Sequence, residues 1–144
     1  MVDHKGMMGT MEVALPHRFP FRMIDRVVEL EPGQRAVAVK AVSCDDFFLE
    51  GHFPQDLCMP EALIVEALAQ TGGIALLSAK EGGMGFLVKV EEMQFDKAIT
   101  PGVLLTLSAD VEFSFGEMAK VRVKAETEGE TVAQGVLVLA AGKP

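Results

Sequence analysis

With 144 residues the chain has the length of one domain, able to bury about 70% of its unfolded surface in a single core; two full domains are excluded. Apolar residues make up 49% and charged residues 24%, too apolar a mixture for an intrinsically disordered chain. Thirteen Lys and Arg against 21 Asp and Glu give a net charge of −8, which weighs against nucleic acid and anionic membrane surfaces as partners.

Residues 1–9 read as a disordered or tag-like N-terminus without the apolar centre of a secretory signal, and residues 10–144 as a single domain. Met23 to Leu30 meets Glu31-Pro32-Gly33-Gln34, which has proline second and glycine third as in a type II turn. Arg35 to Cys44 then alternates, and the two segments are predicted to form a hairpin. Pro60 is expected at the first position of a helix running to Ala79, because proline lacks an N–H that would be unpaired there in any case. The apolar run 62–79 holds Glu66, Gln70 and Gly72-Gly73, so it is not read as a membrane span. A helix apolar on nearly every face must be wrapped by other elements. Gly72 and Gly73 each cost about 1 kcal/mol in a helix, which is explained if sheet backbone approaches closely there.

Strands are predicted over Gly85 to Phe95 and Val103 to Phe115, the second with Leu105, Leu107, Ala109, Val111, Phe113 and Phe115 on one face. Gly116-Glu117 and Glu128-Gly129-Glu130 turn the chain into Ala119 to Glu128 and Thr131 to Ala141. The expected fold class is α+β, a curved antiparallel β-sheet wrapped around one long central helix.

Two residues stand out chemically. His52 lies in Gly51-His52-Phe53-Pro54, and Glu66 lies inside an otherwise apolar helix, where a carboxylate is costly to bury unless paired or protonated. Glu66 could simply pair with Gln70 one turn on; together with His52 it could form an acid/base pair. The N–H groups at the helix start, near Pro60, Glu61 and Ala62, could stabilise an oxyanion. Asp25, Asp45, Asp46 and Glu91-Glu92 read as solvated charges. No metal site is expected, because His4, His17 and His52 are far apart and Cys44 and Cys58 lack ligand spacing. The two cysteines cannot build a disulfide framework either, and a reduced, cytoplasmic setting is expected.

Leu15-Pro16-His17-Arg18-Phe19-Pro20-Phe21, Asp25-Arg26-Val27, Gly51-His52-Phe53-Pro54, Met59-Pro60, Glu66-Ala67-Leu68-Ala69-Gln70 with Gly72-Gly73, and Ile99-Thr100-Pro101-Gly102 follow one another in order. In these motifs the chain, from about Leu15 to Ala141, resembles the β-hydroxyacyl-acyl carrier protein dehydratases of the FabZ type. The resemblance implies the hotdog fold and dehydration of (3R)-3-hydroxyacyl-acyl carrier protein to the trans-2-enoyl thioester in fatty acid synthesis, without a cofactor. It implies His52 and Glu66 as the catalytic pair, contributed by opposite subunits. Phe53, Pro60, Gln70 and the backbone N–H of Glu61 are then the substrate-binding groups. The implied partners are an acyl carrier protein and a second copy of the chain, in a homodimer or a trimer of dimers. Gln55, Leu57 and Glu61 depart from the family pattern, in which glycine stands at the position of Glu61. A hotdog-fold thioesterase and a non-catalytic acyl-thioester binding subunit are the competing readings. Because both carrier and chain are acidic, docking requires a local basic patch, for which Arg18, Arg22, Lys89 and Lys97 are candidates.

Overall fold

The computed structural model describes residues 15–18, 20–49, 57–80 and 84–142. Strands β1 (Arg26–Glu31) and β2 (Arg35–Val42) form the first hairpin. The Gln34 N–H donates to the Glu31 carbonyl at 2.9 Å, and Gly33 takes φ +77°, the left-handed position that a type II turn reserves for glycine. A short 3-10 turn, Phe47–Leu49, follows. The long helix α1 spans Glu61–Leu77, and β3 (Met84–Phe95), β4 (Val103–Phe115), β5 (Met118–Thr127) and β6 (Glu130–Gly142) complete the described chain.

All six strands belong to one antiparallel sheet in the order β1-β2-β4-β5-β6-β3. Helix α1 packs against β2 to β6, most extensively against β4. Ala67, Leu68, Ile74 and Ala75 of the helix are fully buried with Leu105, Leu107, Ala109, Val121 and Leu137 of the sheet. This is the wrapped helix that its all-round apolar sequence demands. No helix among the described residues is long and apolar enough to cross a membrane.

Three expectations change in detail. Pro60 is the residue before the helix rather than its first: its ψ of 138° is extended, while its carbonyl already accepts from the N–H groups of Leu63 and Ile64. The two glycines differ. A Cβ on Gly72 would meet Leu139 Cδ1 at 2.8 Å and Val121 at 3.5 Å, whereas one on Gly73 would meet nothing within 4 Å. Close approach thus accounts for Gly72 alone, and it is approach of sheet side chains rather than of sheet backbone.

The third change concerns β4. The register slips between Val111 and Phe113, so that Val111 faces Val121 while Phe113 faces Lys120. Cross-strand partners share a face, and an extra residue turns every later side chain over. Phe113 and Phe115 therefore leave the helix-facing side and stand 59% and 62% exposed, not in line with Leu105, Leu107 and Ala109.

Several acidic side chains read as solvated also have definite partners. Asp25 accepts the Ala41 N–H at 2.6 Å and Asp46 accepts that of Ser43 at 2.7 Å. Lys40, nearly buried, lies 3.7 Å from Asp46 and 5.5 Å from the centre of the Phe48 ring.

Candidate active site

The helix brings Glu66, Ala69, Gln70, Gly73 and Leu77 onto one stripe, because these positions recur at the spacing of helical turns. The stripe lines a cavity of about 220 Å³, closed by Leu15, Pro16 and His17 on one side and by Gly85, Phe86 and Leu87 of β3 with Leu139 on the other. The walls are largely apolar. Among the described lining residues, Glu66 and His17 are the titratable groups. The missing side chain at Gly73 leaves room in the cavity, which gives this glycine a reason that backbone approach did not.

Glu66 is held from two sides. The Gln70 side-chain nitrogen donates to its Oε1 at 3.0 Å, and His17 Nε2 lies 3.5 Å from the same oxygen. Gln70 is itself fixed: its Oε1 accepts the Met23 N–H at 2.9 Å, and its nitrogen also donates to the Phe21 carbonyl at 2.8 Å. Both amide hydrogens are thus committed within the protein, and the side chain is 2% exposed. Gln70, expected from the resemblance to bind substrate, lines the cavity and clamps Glu66. The side-chain pairing of Glu66 with Gln70 and its place in a cavity occur together.

His17 was assigned no chemistry from sequence. It is carried into the cavity by the Leu15–Arg18 segment, whose carbonyls accept from Arg18 and, at His17, also from Arg22. Its ring stacks on Phe21 with centroids 6.3 Å apart. The signal lay in the Leu-Pro-His-Arg run, but only the fold shows that the run meets α1 at Glu66.

His52 and Phe53 lie outside the described residues. Glu61 and Pro60 lie at the start of α1. As the first helical residues, Glu61 and Ala62 have no carbonyl one turn back within the helix, so their N–H groups point outward at its positive end. Glu66 follows about 8 Å further along the axis at 1.5 Å per residue. The Glu61 side chain is exposed, and it borders a second groove with Cys58, Met59, Phe95 and Lys97. Among the described residues no group of His, Cys, Asp and Glu could hold a metal ion.

Of the basic candidates for docking, Lys97 pairs with Glu130 at 3.0 Å and Lys89 with Glu91 at 3.0 Å, while Arg18 and Arg22 border the cavity segment. A larger groove of about 500 Å³ lies over the face of the sheet opposite the helix. Charges in it pair with one another: Arg35 Nη1 donates to both Asp110 oxygens at 2.7 Å, and Lys124 lies 3.3 Å from Glu126. Asp110 accordingly holds the Arg35 guanidinium in its charged form above the usual range.

The chain is similar to the 3-hydroxyacyl-[acyl-carrier-protein] dehydratase FabZ of Ruminiclostridium cellulolyticum, with 45% identity over 131 residues, 90% of this chain and 92% of that protein. A FabA-like domain matches residues 15–136. The chain belongs to the FabZ family. The FabZ of Staphylococcus saprophyticus is 43% identical over 128 residues, 88% of each chain. Among solved structures, the dehydratase heterocomplex ApeI:P from Xenorhabdus doucetiae superposes with a TM-score of 0.78 at 18% identity, covering 92% of this chain and 91% of that one. PH1136 from Pyrococcus horikoshii does so with 0.72 at 16%, covering 92% and 93%. These neighbours share the fold, and the hotdog architecture implied by the FabZ resemblance is the one observed.

Proposed function

We infer that this FabZ-family chain dehydrates (3R)-3-hydroxyacyl-acyl carrier protein to the trans-2-enoyl thioester in fatty acid synthesis. The observation that carries this reading is Glu66 itself, a carboxyl fixed by Gln70 on the wall of an apolar cavity in a chain 45% identical to a named dehydratase. Such a cavity suits an acyl chain, and the carboxyl suits the hydroxyl that must leave.

In the proposed reaction His52 takes the proton from C2, and the electron pair of that bond moves toward the thioester carbonyl. The N–H groups of Glu61 and Ala62 lie at the helix end that favours negative charge on the carbonyl oxygen. The pair then returns to form the C2–C3 double bond as the C3–O bond breaks. Glu66 gives its proton to the departing hydroxyl, which leaves as water. Transfer of the proton from His52 back to Glu66 resets both groups, so no cofactor is consumed. The exposed position of the Glu61 side chain keeps its charge in water, where repulsion of a developing enolate is weak.

The site works between two copies of the chain. Among the described residues strand β3 is a sheet edge, carrying Phe86, Leu87, Val88 and Val90 at 42–52% exposure. Unpaired apolar edges of this kind invite pairing with another strand. Because Phe86 and Leu87 also line the Glu66 cavity, a second copy seated on β3 would close it, in keeping with the FabZ resemblance, which pairs Glu66 with the His52 of an opposite subunit. Dimers can associate further into a trimer of dimers. The free thiols Cys44 and Cys58 fit the reducing cytoplasm.

A thioesterase would instead release free thiol from the same substrate. Following enoyl absorbance and thiol release together from a 3-hydroxyacyl thioester tests the assignment: enoyl formation without thiol release supports it, and thiol release without enoyl overturns it.

A further inference from the structure

We propose that His17 is a positioning residue for Glu66: with Gln70 it holds Oε1, leaving Oε2 as the oxygen presented to the substrate's 3-hydroxyl. This rests on the dehydratase reading and assigns a role to a residue that reading does not use.

The geometry is asymmetric. Gln70 nitrogen and His17 Nε2 both approach Oε1, at 3.0 and 3.5 Å, whereas no described residue donates a hydrogen bond to Oε2. The 3.5 Å separation is longer than a hydrogen bond, and such contacts commonly tighten once substrate fills a site. His17 Nδ1 is buried and finds no partner among the described residues. A hydrogen on Nδ1 would therefore be an unpaired buried donor and would set the bare Nε2 against the Oε1 lone pairs. A hydrogen on Nε2 removes the lone-pair repulsion and aims a donor at Oε1, at the cost of leaving Nδ1 an unpaired acceptor in place of an unpaired donor.

The ring is oriented by its neighbours. It stacks on Phe21, the residue whose carbonyl accepts from Gln70, and the His17 carbonyl is tied down by Arg18 and Arg22. The segment before β1 thus supports one carboxyl oxygen directly through His17 and indirectly through the Phe21 carbonyl that holds Gln70. With Oε1 accepting from Gln70 and faced by His17 Nε2, the proton that Glu66 must donate resides on Oε2, and its direction is fixed by the rotation of the carboxyl group. Losing one support lets that group rotate, which lowers the chemical step more than it lowers binding.

The test compares His17→Ala and His17→Gln with the unaltered protein in steady-state dehydration of a 3-hydroxyacyl thioester, with thermal unfolding measured alongside. His17→Ala is expected to lower kcat about tenfold with KM within twofold of wild type. His17→Gln, whose amide can still donate to Oε1, is expected to recover most of the loss. A wild-type kcat in His17→Ala, a loss confined to KM, or equal losses in both variants would overturn the inference. Unaltered protein that forms no enoyl product would overturn the dehydratase reading as well, so the two failures are told apart.

Discussion

Gln70 ties Glu66 to the segment before β1, donating to Glu66 Oε1 at 3.0 Å while its own oxygen takes the Met23 N–H at 2.9 Å. One amide therefore joins the site to the fold. Gln70→Leu leaves the buried Met23 N–H without its partner, at about 1–3 kcal/mol, and the part-buried Phe21 carbonyl without its own at the lower end of that range. The expected result in urea denaturation is a loss of about 2–4 kcal/mol. Dehydration by the folded fraction should fall at least about tenfold, because the carboxyl loses its nearest donor.

The two helix glycines should respond in opposite ways. Gly73→Ala gains about 1 kcal/mol of helix propensity and meets nothing within 4 Å, so its denaturation midpoint should rise. Gly72→Ala gains the same propensity but presses on Leu139 at 2.8 Å, so it should be less stable than Gly73→Ala. Equal midpoints would mean that Leu139 yields without cost.

Glu91 bridges Lys89 at 3.0 Å and Lys120 at 3.2 Å, linking β3 to β5 across β6. Hydrogen bonds to these lysines hold its carboxyl below the usual range. A carboxyl lowered in the folded state adds stability above its unfolded titration, and that contribution is lost as pH falls through the folded value. The denaturation midpoints of wild type and Glu91→Gln should therefore differ at pH 7 and converge between about pH 5 and pH 3. Since the group is only partly buried, about 0.5 M salt at pH 7 should also narrow the gap.

Much of the framework is legible in the sequence because periodicity and turn chemistry are local. The Pro32-Gly33 turn, the helix around Leu68 and the four long strands follow from spacings of two and 3.6 residues. Phe113 and Phe115 were placed on the wrong face because a bulge is set by pairing with β5, which alternation within β4 does not encode. Glu66 could be singled out because a carboxyl in an apolar helix conflicts with its surroundings. His17 could not, since a histidine in a loop creates no such conflict until the fold sets it beside Glu66. Gln70 was legible as a neighbour of Glu66, but its second and third hydrogen bonds reach Met23 and Phe21, which no helical spacing reveals.

The central claim, that Glu66 is the acid of a dehydration shared with His52, is tested most directly by the kcat of Glu66→Gln on a 3-hydroxyacyl thioester, with His52→Ala measured in parallel. Glutamine keeps the shape and can still pair with Gln70 but has no acidic proton to give. The account predicts a fall of at least about a hundredfold in each variant, the size expected for losing a general acid or base, with circular dichroism unchanged. Near wild-type turnover by folded Glu66→Gln would contradict it.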